Sequence, residues 1–415
     1  MKKGKNFNRF LLLWTGELVS SIGGGLTSFG LGVYIFQQTG SAASMALVTL
    51  LGFLPTLLLS VPAGVLADRY DRRLLMMTGD GCSALGILYI LICMMRGGAT
   101  LTQICVGIFF SAVFSALLEP SFRATITDLL TREEYSQASG LVSLAGSARY
   151  LLSPIIAGFL LTVSDVKLLL VIDICTFFLT VAGAAVVRRG IGAKEAEKKE
   201  AFLQSVKGGW QALRAKKGIL LLVAVSSGVT LFMGMFQILA EPLILSFSDA
   251  KTLGVAESVC ACGMLVSGVV LGVKGLKGHY VHTLGLSLIL AGCFMAGFPL
   301  FENIPLLCVF GFLFFAALPF ANNCLDYLIR TNIPDDVQGR AWGLIGFLSQ
   351  LGYVVAYAVS GAAADALGRL TGRGVGRGAA AVILAAGICL SVVAASILIP
   401  KQIKELEQQP MKEER

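Results

Sequence analysis

Three charged residues interrupt long apolar stretches of the sequence. Glu17 lies in LLLWTGELVSSIGGG, Arg149 in GSARYLLSPIIAGFL and Asp173 in LLLVIDICTFF. A charged side chain within hydrocarbon costs about 3 kcal/mol or more unless it faces a cavity or a partner. A carboxyl group in such a place can bind and release a proton, and a nearby guanidinium group favours the release. These three residues are our candidates for contact with a substrate or with protons.

A carboxyl group in an apolar segment can instead be structural, either as a hydrogen-bond partner or with its charged end extended to the membrane interface. We favour that interpretation for Glu119 and Glu241, which each precede a proline near the end of an apolar stretch. We favour it for Asp80 and Asp326 as well. Arg149 lies about ten residues into its segment, or roughly 15 Å along a helix, so for Arg149 and Glu17 we favour a functional role.

A dense group of charges occurs between two apolar stretches, in GVLADRYDRRLL at residues 64–75. A glycine lets a neighbouring helix backbone come close. An aspartate at the end of one helix can accept hydrogen bonds from the N–H groups that begin another helix. The arginines can pair with a carboxylate, or can serve only to hold the turn on one side of a membrane. The first interpretation predicts a polar latch, which consists of Gly64, Asp68, Arg69, Arg72, Arg73 and Asp128.

The elements that position these residues follow from composition. The chain has 415 residues, of which 56% are hydrophobic and 14% charged, and its mean hydropathy is +0.80. Soluble domains carry about 25% charged residues, and an apolar stretch of about 20 residues crosses the hydrocarbon core of a bilayer. The sequence therefore predicts an all-α membrane protein with twelve spans, at about 10–36, 44–67, 74–95, 101–120, 139–162, 168–187, 218–247, 254–273, 281–300, 305–325, 342–366 and 379–399.

An internal repeat divides the spans into two halves. TDLLTREEYSQASGL and IRTNIPDDVQGRAWGL each follow a span and lead into the next, and this alignment pairs Gly140 with Gly343 and Gly158 with Gly361. The segment between the sixth and seventh spans is highly charged and contains no span. We expect two pseudo-symmetric six-helix bundles at 1–187 and 218–400, a cytoplasmic linker at 188–217 and a cytoplasmic tail at 401–415.

The positions of the Lys and Arg residues predict the orientation. Most of the 33 fall in loops on the side of the amino terminus, and positive residues are retained on the cytoplasmic face. One loop, at 368–378, places three Arg on the opposite side. We expect a multi-pass protein of the cell membrane with both termini in the cytoplasm, and the net charge of +8 then reflects topology rather than a nucleic-acid partner.

Several kinds of chemistry lack the residues that they need. The chain contains no G-x-x-x-x-G-K-[ST] sequence for binding a nucleotide. Its ten cysteines lie in or beside apolar spans, and its two histidines, His279 and His282, have no obvious further ligands. A membrane enzyme would need a catalytic histidine or an acidic cluster at a membrane face. We expect a monomer in the lipid bilayer, with no enzymatic activity, no cofactor and no metal.

The spacing of the latch motif resembles the signature loop of the major facilitator superfamily, G-x-x-x-D-R-x-G-R-[RK]. Asp71 stands where many members have glycine, and this variant is similar to the branch that holds bacterial macrolide-efflux proteins and siderophore exporters. The resemblance implies that the latch contacts the start of span eleven, here DDVQGRAWGL. It also implies that spans one and five, with Glu17 and Arg149, line a central cavity.

The resemblance further implies a secondary active transporter that exports amphipathic small molecules in exchange for protons by alternating access. Drug antiporters of the superfamily often carry an arginine in span four, but this chain reads GIFFSAVFSALLEP there, so we expect a proton route through Glu17. Export of a siderophore or metabolite is an alternative, and so is a sensor that transports nothing. Six aromatic side chains could line the cavity or could equally face lipid: Phe29, Phe36, Phe53, Tyr89, Phe232 and Phe236.

Overall fold

The structure is a computed structural model, which describes residues 5–131, 134–188, 210–211, 213–214, 217–276, 278–334, 338–397 and 401–408. The side chain of Asp68, in the predicted latch, lies outside the described part, and so do the side chain of Arg340 and residues 335–337 at the start of span eleven. The linker predicted at 188–217 also falls largely outside it.

The described residues form fifteen helices. These are α1 (Lys5–Thr39), α2 (Ala42–Arg69), α3 (Arg72–Met95), α4 (Leu101–Ser115), α5 (Leu118–Leu129), α6 (Tyr135–Leu151), α7 (Ser153–Val163), α8 (Val166–Arg188), α9 (Lys217–Leu245), α10 (Ala250–Lys274), α11 (Tyr280–Gly297), α12 (Ile304–Arg330), α13 (Gln338–Thr371), α14 (Gly374–Ile397) and α15 (Lys401–Gln408). Twelve helical segments are long and apolar enough to cross a membrane. The predicted all-α class and the predicted number of spans are confirmed.

Two of the twelve spans are broken, which the sequence analysis did not predict. The fourth span consists of α4 and α5 and the fifth of α6 and α7. Pro120 lies in the first turn of α5, and Pro154 lies at the start of α7. Proline has no backbone N–H and its ring clashes with the carbonyl group four residues earlier. Each proline is therefore placed where a new helix begins rather than inside a continuous one.

The helices form two compact units. Of the described residues, the first unit contains 5–40, 47–131, 134–188 and 250–255, and the second contains the rest. The units do not follow the order of the chain strictly. The first turn of α2 belongs to the second unit, and the first turn of α10 belongs to the first.

The two glycines that the internal repeat aligns make the same kind of contact. A Cβ atom on Gly158, in α7, would lie 2.8 Å from the backbone oxygen of Ala250, the first residue of α10. A Cβ atom on Gly361, in α13, would lie 2.5 Å from the backbone oxygen of Ala42, the first residue of α2. Real Cβ atoms do not come so close to backbone, so each glycine lets its helix pass the start of another helix.

In the second unit, Asp365 of α13 caps the start of α2. Its carboxylate accepts hydrogen bonds from Ser41 Oγ at 2.5 Å, from the backbone N of Ala42 at 2.9 Å and from the backbone N of Ala43 at 3.2 Å. The first N–H groups of a helix have no partner within the helix. Asp365 supplies that partner from a position more than 300 residues away in the chain.

The chain after the last span also contributes a cap. The segment predicted only as a cytoplasmic tail contains α15, whose Ile403 and Leu406 are buried. Glu407 of α15 accepts hydrogen bonds from the backbone N of Tyr280 at 2.6 Å and of Val281 at 3.2 Å. These are the first two residues of α11, so α15 satisfies the start of the ninth span.

Candidate functional site

The paired part of the predicted latch is built from α2, α3 and α5. Arg72 Nη1 lies 2.7 Å from Asp128 Oδ1 and donates a hydrogen bond to Ala124 O at 2.9 Å. Its Nε donates to Ala67 O, near the end of α2, at 3.1 Å. One guanidinium group therefore connects the end of α2 and the start of α3 to α5, using several of its donors at once.

The other latch residues differ in their surroundings. Arg73 is buried, with Nη2 3.9 Å from Asp128 Oδ2, whereas Arg69 is exposed at the end of α2. A Cβ atom on Gly64 would meet no atom within 4 Å, so packing within the first unit does not require glycine there. The structure brings together Arg72, Arg73 and Asp128.

Asp71 has a structural role that the sequence analysis missed. It is the N-cap of α3, where its Oδ1 accepts a hydrogen bond from the backbone N of Arg73 at 3.0 Å. Its Oδ2 lies 2.7 Å from Nε of Arg188, the last residue of α8. An aspartate directly before a helix start is the sequence signal of such a cap, but Asp71 was considered only as a departure from the family motif.

Burial by itself would raise the pKa of Asp71. The hydrogen bond and positive charge of Arg188, with the backbone N–H groups of Arg73 and Leu74, outweigh it and lower the pKa below 3.8. Donors directed at a carboxylate favour its ionised form. Asp71 is therefore an anion at neutral pH, and it joins the start of α3 to the end of α8.

Glu17 and Arg149 lie on one face of the first unit. Glu17 of α1 is half-buried, and Arg149 of α6 is exposed with its Nη2 3.3 Å from Ser28 Oγ of α1. Glu17 interacts electrostatically with Arg149 and with Glu119. Glu119 is exposed and pairs with Arg123 at 2.8 Å. This face therefore carries both charge signs.

Asp173 is separated from that face by burial. It is 1% exposed, and its Oδ2 accepts a hydrogen bond from Thr27 Oγ1 at 2.6 Å. Within the described part of the chain, its Oδ1 has no hydrogen-bond partner. The sequence placed Asp173 with Glu17 and Arg149, but the structure gives it an interior environment between α1 and α8.

Asp80, on α3, resembles Asp173 rather than the exposed acids. It is 3% exposed, and its Oδ1 also lacks a partner among the described residues. Its carboxyl group interacts electrostatically with Glu17 and Asp173. The expectation that Asp80 is a structural hydrogen-bond partner therefore does not account for its Oδ1 atom.

A second acidic pair, in the second unit, includes a residue that the sequence analysis did not consider. Glu241 of α9 interacts electrostatically with Glu257 of α10. Glu257 lies in TLGVAESVCACG, within the apolar eighth span. The same test of a charge within a span would have found it.

Three of the six aromatic side chains that could line the cavity or face lipid are buried. Phe29, Phe232 and Phe236 are buried, at 4%, 9% and 3% exposure. The ring of Phe236 lies 4.6 Å from those of Phe298 and Phe314. Burial excludes contact with lipid for these three side chains, and hydropathy alone could not tell which face of a helix packs against its neighbours.

Comparisons with known proteins agree with this architecture. The sequence profile of the Major Facilitator Superfamily matches residues 13–357. Macrolide efflux protein A of Streptococcus pyogenes is 27% identical over 366 residues, which cover 85% of this chain and 88% of that protein. Multidrug efflux pump Tap of Mycolicibacterium fortuitum is 23% identical over 364 residues, which cover 83% of this chain and 88% of that protein.

Solved structures show the same fold. The crystal structure of a bacterial homologue of the human lysosomal transporter Spinster matches with a TM-score of 0.73 and 14% identity. The match covers 99% of this chain and 100% of that one. At this identity the likeness concerns the fold, and a fold by itself does not specify a substrate.

The Asp71–Arg188 ion pair predicts a pH-dependent contribution to stability. Asp71→Asn keeps an oxygen that can cap α3 but removes the charge, so we expect the free energy of unfolding to fall by about 0.2–1 kcal/mol at neutral pH. Because the folded-state pKa of Asp71 is lowered, the contribution is present above 3.8 and is lost as pH falls through the folded-state value. Denaturant unfolding in detergent, followed at several pH values, measures it.

Arg188→Gln provides the matched control. If the two residues act as a pair, the double variant is more stable than the sum of the two single losses predicts, and the difference is their coupling energy. Strictly additive losses, or a loss for Asp71→Asn that persists at a pH well below 3.8, contradict the ion pair.

Proposed function

Since this chain belongs to the major facilitator superfamily, we propose that it exports amphipathic small molecules, of the macrolide or drug class, in exchange for protons. The observation that carries the proposal is the similarity to a macrolide efflux protein over 85% of the chain. The proposed mechanism is alternating access, in which a substrate site faces one side of the membrane and then the other. Both termini face the cytoplasm in this proposal, and the membrane is that of the cell.

The opposite charges of Glu17 and Arg149 support coupling to protons. The half-buried carboxyl group of Glu17 can hold either a proton or a negative charge. The Arg149 guanidinium group interacts favourably with the charged form, so attraction by Arg149 competes with proton binding at Glu17. A substrate that displaces Arg149 would favour proton uptake, whereas return of Arg149 would favour release.

The latch would control which side is open. The ion pair of Arg72 with Asp128 of α5 connects the turn between α2 and α3 to α5. This contact would restrict the movement of the turn, which closely follows Asp68. In the family, an aspartate at this position contacts the start of span eleven. We propose that Asp68 does so here and that the contact forms and breaks in each transport cycle, since a charged contact near water can exchange with hydration.

The proposed function is tested by accumulation of substrate in cells. Cells that contain the protein should accumulate less of a radiolabelled macrolide than cells without it, and the difference should vanish when the proton gradient is collapsed. A panel of macrolides, cationic dyes and siderophores separates the substrate classes. If cells with and without the protein accumulate every macrolide and dye equally, drug export is contradicted. If the protein reduces the accumulation of a siderophore alone, a siderophore exporter is favoured.

The latch predicts loss of transport without loss of the protein. Arg72→Ala removes the ion pair with Asp128 and hydrogen bonds to two backbone carbonyl groups, and Asp68→Asn removes a negative charge while keeping the size of the side chain. We expect efflux near background for both variants, with normal amounts in the membrane on immunoblots. Arg123→Ala, which removes an exposed ion pair elsewhere on α5, is the matched control. Normal efflux by both latch variants would show that no latch operates.

Glu17→Gln tests the proposed coupling residue. The amide resembles the protonated acid, so the variant should bind substrate but should not respond to a proton gradient. Efflux from proteoliposomes with and without an imposed pH gradient measures the response, with Glu119→Gln as a control of the same type. If Glu17→Gln responds to collapse of the gradient as the unmodified protein does, Glu17 is structural.

A further inference from the structure

Two buried carboxyl groups of the first unit have no role in the contacts proposed above for transport. Asp80 of α3 and Asp173 of α8 are 3% and 1% exposed. Within the described part of the chain, neither forms a salt bridge and each has one oxygen without a hydrogen-bond partner. A buried polar atom without a partner costs about 1–3 kcal/mol, and a buried charge costs more. Something must compensate for both groups.

Around Asp173, the donors and acceptors indicate what is missing. The Oδ1 atom of Asp173 and the Oγ1 atom of Thr176 lie 2.8 Å and 2.5 Å from the position that a Cβ atom of Gly23 would take. The Thr176 hydroxyl group donates its hydrogen to the backbone oxygen of Asp173 at 2.7 Å. A hydroxyl group has one hydrogen, so Thr176 either gives it to this backbone oxygen or directs it to the Asp173 carboxylate. While the backbone oxygen holds that hydrogen, a hydrogen bond between the two side chains requires a hydrogen on Asp173.

The same arrangement occurs at Asp80. The side chain of Thr180 forms a hydrogen bond with the Asp80 carboxyl group, and its hydroxyl group can also donate to the backbone oxygen of Phe177 at 2.8 Å. When the hydrogen is directed to Phe177, only lone pairs face Asp80. The hydrogen bond with Asp80 then requires a hydrogen on the carboxyl group.

These groups form one continuous polar strip. Asp173, Thr176 and Thr180 are three and four residues apart on α8, so they share one face of the helix. Asp80 adjoins this face from α3, and Thr27 adjoins it from α1. All five side chains are buried, with at most 7% exposed. The strip crosses the interior of the unit rather than its surface.

The charged neighbours do not supply a cation to Asp80. The charged groups that act on it are Glu17 and Asp173, which are both acidic. Arg149, on α6, acts on Asp173 and Glu17 but is itself exposed. Helices α4 and α7 carry no Asp, Glu, Lys or Arg. On α5, Glu119 and Arg123 pair with each other, and Asp128 pairs with Arg72.

We propose that Asp80 and Asp173 form an internal proton store, which exchanges protons with water through Glu17. In each binding step, one carboxylate oxygen gains a proton to give a neutral carboxyl group, whose O–H donates to Thr180 or to Thr176. In each release step, the proton passes to the Glu17 carboxylate and then to water. The proposal rests on the proposed proton-coupled function, and it assigns to Asp80 a role that the sequence analysis did not.

Infrared difference spectroscopy of the purified protein in lipid nanodiscs tests the store without any substrate. Between mildly acidic and alkaline buffer, we expect carbonyl bands of protonated carboxyl groups to change. Asp80→Asn and Asp173→Asn should each remove part of this signal. Asp165→Asn, which changes an exposed carboxylate paired with Lys167 at 3.1 Å, should leave it as it is. An unchanged signal in both Asp80→Asn and Asp173→Asn overturns the proposal.

Two threonine variants keep the proposal testable if the aspartate variants do not fold. Thr176→Val and Thr180→Val remove the acceptor oxygen atoms and should shift the carbonyl bands to higher frequency. Thr176→Ser and Thr180→Ser keep these oxygen atoms and should leave the bands at their original frequency. Valine variants with unshifted bands would contradict the geometry. If the carboxyl bands change with pH as expected but the protein exports no macrolide, the proposed function is rejected and the proton store is retained.

Discussion

A carboxyl group inside a membrane-spanning bundle must find a donor, a cation or a proton, and this requirement organises the molecule. Asp128 is compensated by Arg72 and Arg73. Asp365 receives three hydrogen bonds at the start of α2. Asp80 is left with an oxygen that no described side chain satisfies. A polar group without a partner costs several kcal/mol in a medium without water. The partner of each acid therefore indicates whether the acid stabilises the fold or can gain and lose a proton.

The capping acids reveal a symmetry that the sequence hides. In the first unit, Asp71 caps α3 and pairs with Arg188 at the end of α8, the sixth span. In the second unit, Glu407 caps α11, and it comes from α15, which follows the twelfth span. The start of the third span is thus tied to the end of the last span in the first unit, and to the chain after the last span in the second. The turn before α11, GVKGLKGHYVH at 272–282, contains no acidic residue, and Glu407 of α15 supplies the cap there.

Hydropathy predicted the twelve spans because bilayer thickness fixes the length of each apolar stretch. The pattern does not state how each helix is rotated. Asp80 and Glu119 therefore looked alike in the sequence, although one is buried and the other exposed. Asp365 could not be found for another reason, since its partners at 41–43 are distant in the chain and leave no local pattern. Asp71 and Pro154 did leave local signals, and these would have predicted the cap and the broken fifth span.

In the proposed exchange mechanism, the burial of the charged groups separates two tasks. Arg149 is exposed and Glu17 is half-buried, so a substrate in contact with that face can change their interaction directly. Asp80 and Asp173 lie behind them, where a molecule of macrolide size cannot reach. In the proposed store, a proton reaches them by way of Glu17. Substrate charge would then act on the outer pair, whereas the number of protons exchanged would depend on the inner one.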